Sequence, residues 1–294
     1  MSFLKRIFKR ESARSLDPGA TAPLKPHLIE SDLGPGSQGH LIVGVAHSAG
    51  LERPHDDDSS FVLTGGADGD QKLPDFGLFC VADGLGGYEH GHIASSIAVR
   101  TVARVIIRGA LLDLFNLEPA TEIASMIELV TGAFEEANRA VLTDAEGGAT
   151  TLTTALLMGD QMVIGHVGDT RVYSIVGEEM KCLTHDHSLI QRLIESGTLS
   201  EDEAQESPHR GVLWNAIGKT EELKVDVASY AVSPASYLLL CSDGLWGVVP
   251  EDEVYRVVTE NRNPQPACDA LVRTANDAGG PDNITAILVH IPTF

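Results

Sequence analysis

Apolar residues fall along the chain in two rhythms. Continuous runs of strand length occupy 41–46, 60–63 and 76–82, then 150–158, 162–167 and 171–176, and finally 224–229, 237–241 and 284–290. Between them Ala94, Ala98, Val102, Val105 and Ile106 recur at helical spacing, a second helical stretch covers 123–142, and further helices are expected near 251–259 and 266–278. Gly65, Gly66 and Gly69 predict a hairpin turn between the second and third strands, and Gly159-Asp160 a tight one between the fourth and fifth. Strands in hairpin succession, interrupted by paired helices, predict an α+β fold with helices covering antiparallel sheets, not a doubly wound parallel sheet. No internal repeat is visible.

The first 40 residues differ from the rest. Phe3, Leu4, Ile7 and Phe8 alternate with Lys5, Arg6, Lys9 and Arg10 in a short basic amphipathic pattern that suits a membrane surface or a partner. An isolated helix of that length is marginal, so the segment reads as a tail. Pro18, Pro23, Pro26 and Pro35, with four glycines, make residues 17–40 a linker, and residues 41–294 the main folded domain.

Charge narrows the function. With 42 acidic and 21 basic side chains the formal charge is −21. Residues 1–40 are +2, which leaves −23 for the remainder. Such a surface repels nucleic acid and anionic membranes. Cys80, Cys182, Cys241 and Cys268 form no close pairs, so buried free thiols in a reducing compartment are expected, not a zinc cluster or disulfide framework. The sequence carries neither a span of about 20 apolar residues nor a signal-peptide pattern, and a cytoplasmic protein is expected.

The informative feature is where the aspartates stand. The run ending at Ala82 gives way to Asp83-Gly84, the run ending at Cys241 to Ser242, Asp243 and Gly244, and the run ending at Val167 to Gly168-Asp169. Asp58 precedes the run at 60–63, and Asp282 the run at 284–290. Any one Asp-Gly is a common turn. Five carboxylates at strand ends, however, can converge on one edge of a sheet sandwich, where like charges need protons or cations to coexist. All-oxygen ligands favour Mg²⁺, Mn²⁺ or Ca²⁺ over zinc.

These stretches resemble the type 2C metal-dependent protein phosphatases, particularly their bacterial branch. The matching segments are RPHDDD (53–58), VADGLGG (81–87), GATT (148–151), HVGDTR (166–171), LTHDHS (183–188), LCSDGL (240–245) and GGPDNIT (279–285), in the family's order. The resemblance implies a four-layer αββα sandwich, two antiparallel sheets flanked by helices, with two Mg²⁺ or Mn²⁺ ions at one edge and a weaker third. It makes Asp58, Asp83, Asp243 and Asp282 the metal carboxylates, with Asp83 bridging and Gly84 offering its carbonyl. Asp169 joins Asp243 at the third ion, and Arg53 grips the substrate phosphate, a task suited to a bidentate guanidinium. Phosphorylated proteins are then the substrates and a serine/threonine kinase the counterpart; a monomer is expected. Two ions about 3.5–4 Å apart would activate a bridging water for in-line attack, without a phosphoenzyme. A cysteine mechanism is excluded, since no cysteine begins a Cys-x5-Arg pattern.

The chain also departs from the family. Asp57 stands where Glu or Gln is common, and Tyr88 replaces a usual His. Tyr88 is a poor acid at neutral pH, so the general acid is unassigned among His90, His92 and a metal-bound water. A non-catalytic module that keeps the fold is the alternative these two positions motivate, and retention of every direct metal position opposes it. Asp186 and His187 are expected to order a loop rather than hold metal. Residues 188–218, with Leu189, Leu193 and Ile194 at helical spacing, correspond to the family's flap, a site of substrate selection. Its acidic residues Glu201, Asp202, Glu203 and Glu206 read as a solvated face, and Trp214 and Trp246 as packing residues.

Overall fold

The apolar runs at 76–82, 150–158, 162–167, 237–241 and 284–290 form strands largely buried on both faces, while those at 41–46 and 60–63 form half-buried ones. The structure, a computed structural model, describes residues 40–292 except 68–72, 86–89, 116–125, 201–202, 204–206, 208 and 210. The amphipathic tail, nearly all of the linker, Gly69, Tyr88 and the acidic residues Glu201, Asp202 and Glu206 therefore lie outside the described residues. In chain order come β1 (Ile42–Ser48), β2 (Ser59–Ala67), β3 (Leu73–Ala82), α1 (Gly91–Ile106), α2 (Met126–Asp144), β4 (Leu152–Met158), β5 (Gln161–Val167), β6 (Arg171–Val176) and β7 (Glu179–Cys182). Then follow α3 (Leu189–Glu195), β8 (Asp226–Ala231), β9 (Ser236–Cys241), α4 (Asp243–Trp246), α5 (Glu251–Glu260), α6 (Pro264–Asp277) and β10 (Ile284–Ile291).

Two five-stranded sheets result, ordered β1-β10-β9-β6-β7 and β2-β3-β4-β5-β8. Every neighbouring pair is antiparallel. In β3 the period of two sends Leu78, Cys80 and Ala82 towards α1 and α2. Phe79 and Val81 point the other way, against Leu238, Leu240, Ile287 and Val289 of the facing sheet. In β10 Ala286 and Leu288 meet Leu271 and Ala275 of α6. Three apolar layers thus separate four layers of secondary structure, the sandwich expected from the resemblance. Among the described residues no helix is long and apolar enough to cross a membrane.

The differences from the expected elements have local causes. Gly65 and Gly66 belong to β2 and not to the turn; a Cβ on Gly65 would stand 2.4 Å from the Phe76 ring, so glycine there makes room for an aromatic neighbour. β7 was not anticipated, because Glu179-Met-Lys-Cys182 has no apolar run, and its residues are exposed or half-buried on a sheet edge.

The flap is tied at its base by backbone groups. Leu189 N–H donates to Val212 O at 2.8 Å, Trp214 N–H to His187 O at 3.0 Å, and His187 N–H to Gly168 O at 2.6 Å. Ile217 and Thr150 exchange both backbone hydrogen bonds, at 2.9 and 3.0 Å. Ser188 caps α3 by accepting from Gln191 N–H.

Candidate metal and phosphate site

Asp83 leaves the end of β3 in a fixed backbone frame. Its N–H donates to Thr151 Oγ1, while its carbonyl accepts from Thr150 Oγ1 and Thr151 N–H, each at 2.8 Å. The next residue can only be glycine, since a Cβ on Gly84 would lie 2.6 Å from the Asp57 carbonyl and from the Gly91 backbone. Asp58, entering β2, is reached from the other sheet. Its Oδ2 accepts from Ser242 Oγ at 2.7 Å and from Thr285 Oγ1 at 2.6 Å. Its Oδ1 is buried with no donor among the described residues. A buried carboxylate oxygen left without a donor is what an ion-binding position looks like before the ion is added.

Asp243 opens α4, and the following Gly244 is pressed against the other motif: a Cβ there would fall 2.0 Å from Asn283 O. Asp282, before β10, receives Arg53 Nη2 at 2.7 Å. Asn283 fixes that loop by donating to Ala49 O and His55 O while accepting from Asp57 N–H, at 2.8–2.9 Å. Asp169 is buried, with Gly168 before it at φ +110°, and its carbonyl accepts from Trp246 Nε1 at 3.0 Å.

Electrostatics ties these groups together. Burial, then the charges of Asp58, Asp243, Asp169 and Asp282, hold the Asp83 carboxyl well above the usual range. Burial, then Asp243 and Asp186, does the same to Asp169. Asp58 is pushed up to about 7, chiefly by burial, with Thr285 and Ser242 opposing and Asp56 and Asp243 adding to the rise. Arg53, Asp83, Asp169, Asp243, Asp282 and Lys219 line one open cleft of about 450 Å³, with Gly84 in its wall and residues 211–213 of the flap along its side. All six predicted side chains therefore gather at one sheet edge, with Asp58 behind the cleft wall. Among the described residues, no three His, Cys, Asp or Glu side chains are already closed around a common point. The donor set is all oxygen, which fits Mg²⁺ or Mn²⁺ and not zinc.

Around the cleft, Asp186 and His187 hold structure. Asp186 makes a two-pronged ion pair with Arg171 at 2.8 and 3.1 Å, and Arg171 lies 3.7 Å above the Trp246 ring. His187 meets Asp226 at 3.1 Å and Asn215 Nδ2 at 2.8 Å, and tilts over Trp214. The two tryptophans thus pack as expected and also carry cations, Trp214 beneath Arg192 at 3.8 Å. His92 Nδ1 stands 3.7 Å from Asp57 Oδ1, and His90 approaches Glu146. Sequence reasoning missed the hydroxyls of Thr150, Thr151, Ser242 and Thr285, the Asn283 latch and Lys219. The first five sit inside the quoted motifs beside the aspartates; Lys219 follows the flap with no motif to mark it.

The family model for protein phosphatase 2C matches residues 56–288. A serine/threonine phosphatase Stp from Listeria innocua is 33% identical over 247 residues, which is 82% of this chain and 92% of that one. The structure of MsPP, a PPM Ser-Thr phosphatase from Mycobacterium smegmatis solved with cacodylate, superposes with a TM-score of 0.67 at 28% identity, covering 85% of this chain and 97% of that one. The catalytic domain of the phosphatase PstP, solved with two manganese ions, superposes at 0.69 over 86% of this chain and 98% of that one; at 24% identity it speaks for the fold alone. The chain belongs to the protein phosphatase 2C family and is a protein phosphatase.

Proposed function

We propose that this chain hydrolyses phosphoserine and phosphothreonine in proteins, in the cytoplasm and as a monomer, and opposes a serine/threonine kinase. Residues 41–294 form its catalytic domain. Asp58, Asp83, Asp243 and Asp282, with the Gly84 carbonyl, hold two Mg²⁺ or Mn²⁺ ions, and Asp169 and Asp243 hold a weaker third. The observation that carries this reading is the gathering of carboxylates whose proton affinities rise through burial and one another's charge, which makes a divalent cation their natural counter-charge. When bound, the ions would supply Lewis acidity that activates water for in-line displacement at phosphorus.

The chain's own residues do the rest. Ser242 and Thr285 orient Asp58 so that its other oxygen faces inward. Thr150 and Thr151 fix the backbone of Asp83. Arg53 leaves Asp282 to take the non-reacting phosphate oxygens, which a planar fork of donors suits. Phosphoryl transfer demands positioning and charge neutralisation above all, and that is what these contacts provide.

The test is hydrolysis of an aryl phosphate and of phosphothreonine peptides with excess Mn²⁺. Asp243→Asn is expected to lose about three orders of magnitude or more in kcat, because one missing charge disorganises the site. Wild-type protein no faster than that variant would refute the proposal.

A further inference from the structure

Among the described residues two cations line the cleft, Arg53 and Lys219, and only Arg53 is explained by the phosphate. Arg53 is paired with Asp282. Lys219, just after the flap, lines the cleft, its Nζ donating to the Leu213 carbonyl at 2.6 Å, and among the described residues it has no carboxylate partner. One carbonyl uses one of the three donors of an ammonium group, so two remain for an incoming ligand. The residue is exposed, as is Val212 beside it.

The backbone beneath Lys219 is not free to drift. Ile217 is paired with Thr150, whose hydroxyl binds the Asp83 carbonyl. Gly218 N–H donates to Asn138 Oδ1 at 2.7 Å, and Gly218 holds φ +82° where a Cβ would come within 2.3 Å of Val141. Lys219 is therefore mounted on the same hydrogen-bonded backbone frame as Asp83. A fixed cation on the wall of a cleft in a domain of charge −23 offsets a repulsion that acidic peptides would otherwise meet.

We propose that Lys219 is a specificity-determining residue that receives an acidic side chain flanking the phosphorylated serine or threonine, so that acidic phosphopeptides are the preferred substrates. The inference rests on the phosphatase reading above and deepens it. The experiment compares kcat/KM, with Mn²⁺, for two phosphothreonine peptides that differ only in carrying Asp or Ala on both sides of the phosphothreonine. Taking the ratio within each protein cancels any loss of folded or metal-loaded enzyme.

Wild type is expected to favour the Asp peptide about threefold to fivefold, the range of a solvent-exposed ion pair. The ratio should fall to about one in Lys219→Ala, persist in Lys219→Arg, and invert in Lys219→Glu. It should also shrink at high salt. The same ratio in all four proteins would overturn this inference alone. Failure of wild type to hydrolyse either peptide above Asp243→Asn would overturn the phosphatase reading and this inference with it.

Discussion

Asp58 offers the sharpest check on the electrostatics. Its carboxyl is pushed up to about 7 in the folded chain, against an ordinary value of 3.8. A group that binds its proton more tightly when folded makes stability fall as pH rises, here through the window from about 4 to about 7. Each pH unit of that window is worth about 1.4 kcal/mol, so ionised Asp58 destabilises the ion-free protein by about 4 kcal/mol at pH 7.5. At pH 5 the same accounting leaves less than half of that.

Asp58→Asn keeps the shape and an oxygen to accept from Ser242 and Thr285, and removes the charge. Allowing for charge redistributed among Asp83, Asp169 and Asp243, about half the effect should survive. With a melting-point change of about 2–4 °C per kcal/mol in a domain of this size, the variant should melt about 4–8 °C higher than wild type in chelator at pH 7.5. The gain should shrink at pH 5, and saturating Mn²⁺ should reverse the order, because only wild type binds the ion fully. Differential scanning calorimetry in the three conditions reads all of this. A variant that melts lower than wild type in chelator at pH 7.5, or a gain independent of pH, would refute the reasoning.

Arg53→Ala should lower kcat/KM for a phosphopeptide by about 10- to 100-fold, and Arg53→Lys should restore only part, since a single ammonium cannot replace the fork; steady-state kinetics decides. Trp246→Phe removes the hydrogen bond to the Asp169 carbonyl and weakens the stack under Arg171. About 2 kcal/mol of destabilisation is expected, seen as a drop of about 4–8 °C in melting temperature. Burial pushes the thiols of Cys80 and Cys241 up and that of Cys268 up to about 12. A thiol reagent at pH 8 should therefore modify native protein at Cys182 at most, with the other three reacting only after unfolding, as mass spectrometry would read.

Much of this molecule was legible in its sequence because its central strands, such as β3, β4, β5, β9 and β10, are buried on two faces. Such strands write unbroken apolar runs, and the aspartates stand out where each run stops, as at Ala82-Asp83 and Cys241-Ser242-Asp243. Where burial is partial the writing fades. β7, on a sheet edge, and the start of β3 at Leu73-Pro-Asp75 carry too little apolar pattern to be read. The strand expected at 224–229 is Asp226–Ala231, displaced because this edge strand pairs only with β5 and its own pattern is weak. Contacts made across the fold were invisible for a different reason. Arg53 meets Asp282 across 229 positions of chain, and Asp58 meets Ser242 across 184. Periodicity speaks only of near neighbours, so such pairings emerge with the topology.

The ties at the root of the flap run from main chain to main chain. Amide and carbonyl groups are the same whatever side chain they carry, so what lies between those ties can be rewritten while the edge that presents Asp83 stays put. A segment from a related enzyme, spliced in between Leu189 and Val212, should leave the backbone frame around Asp83 standing. The segment between the ties can therefore change without endangering the edge that carries the aspartates.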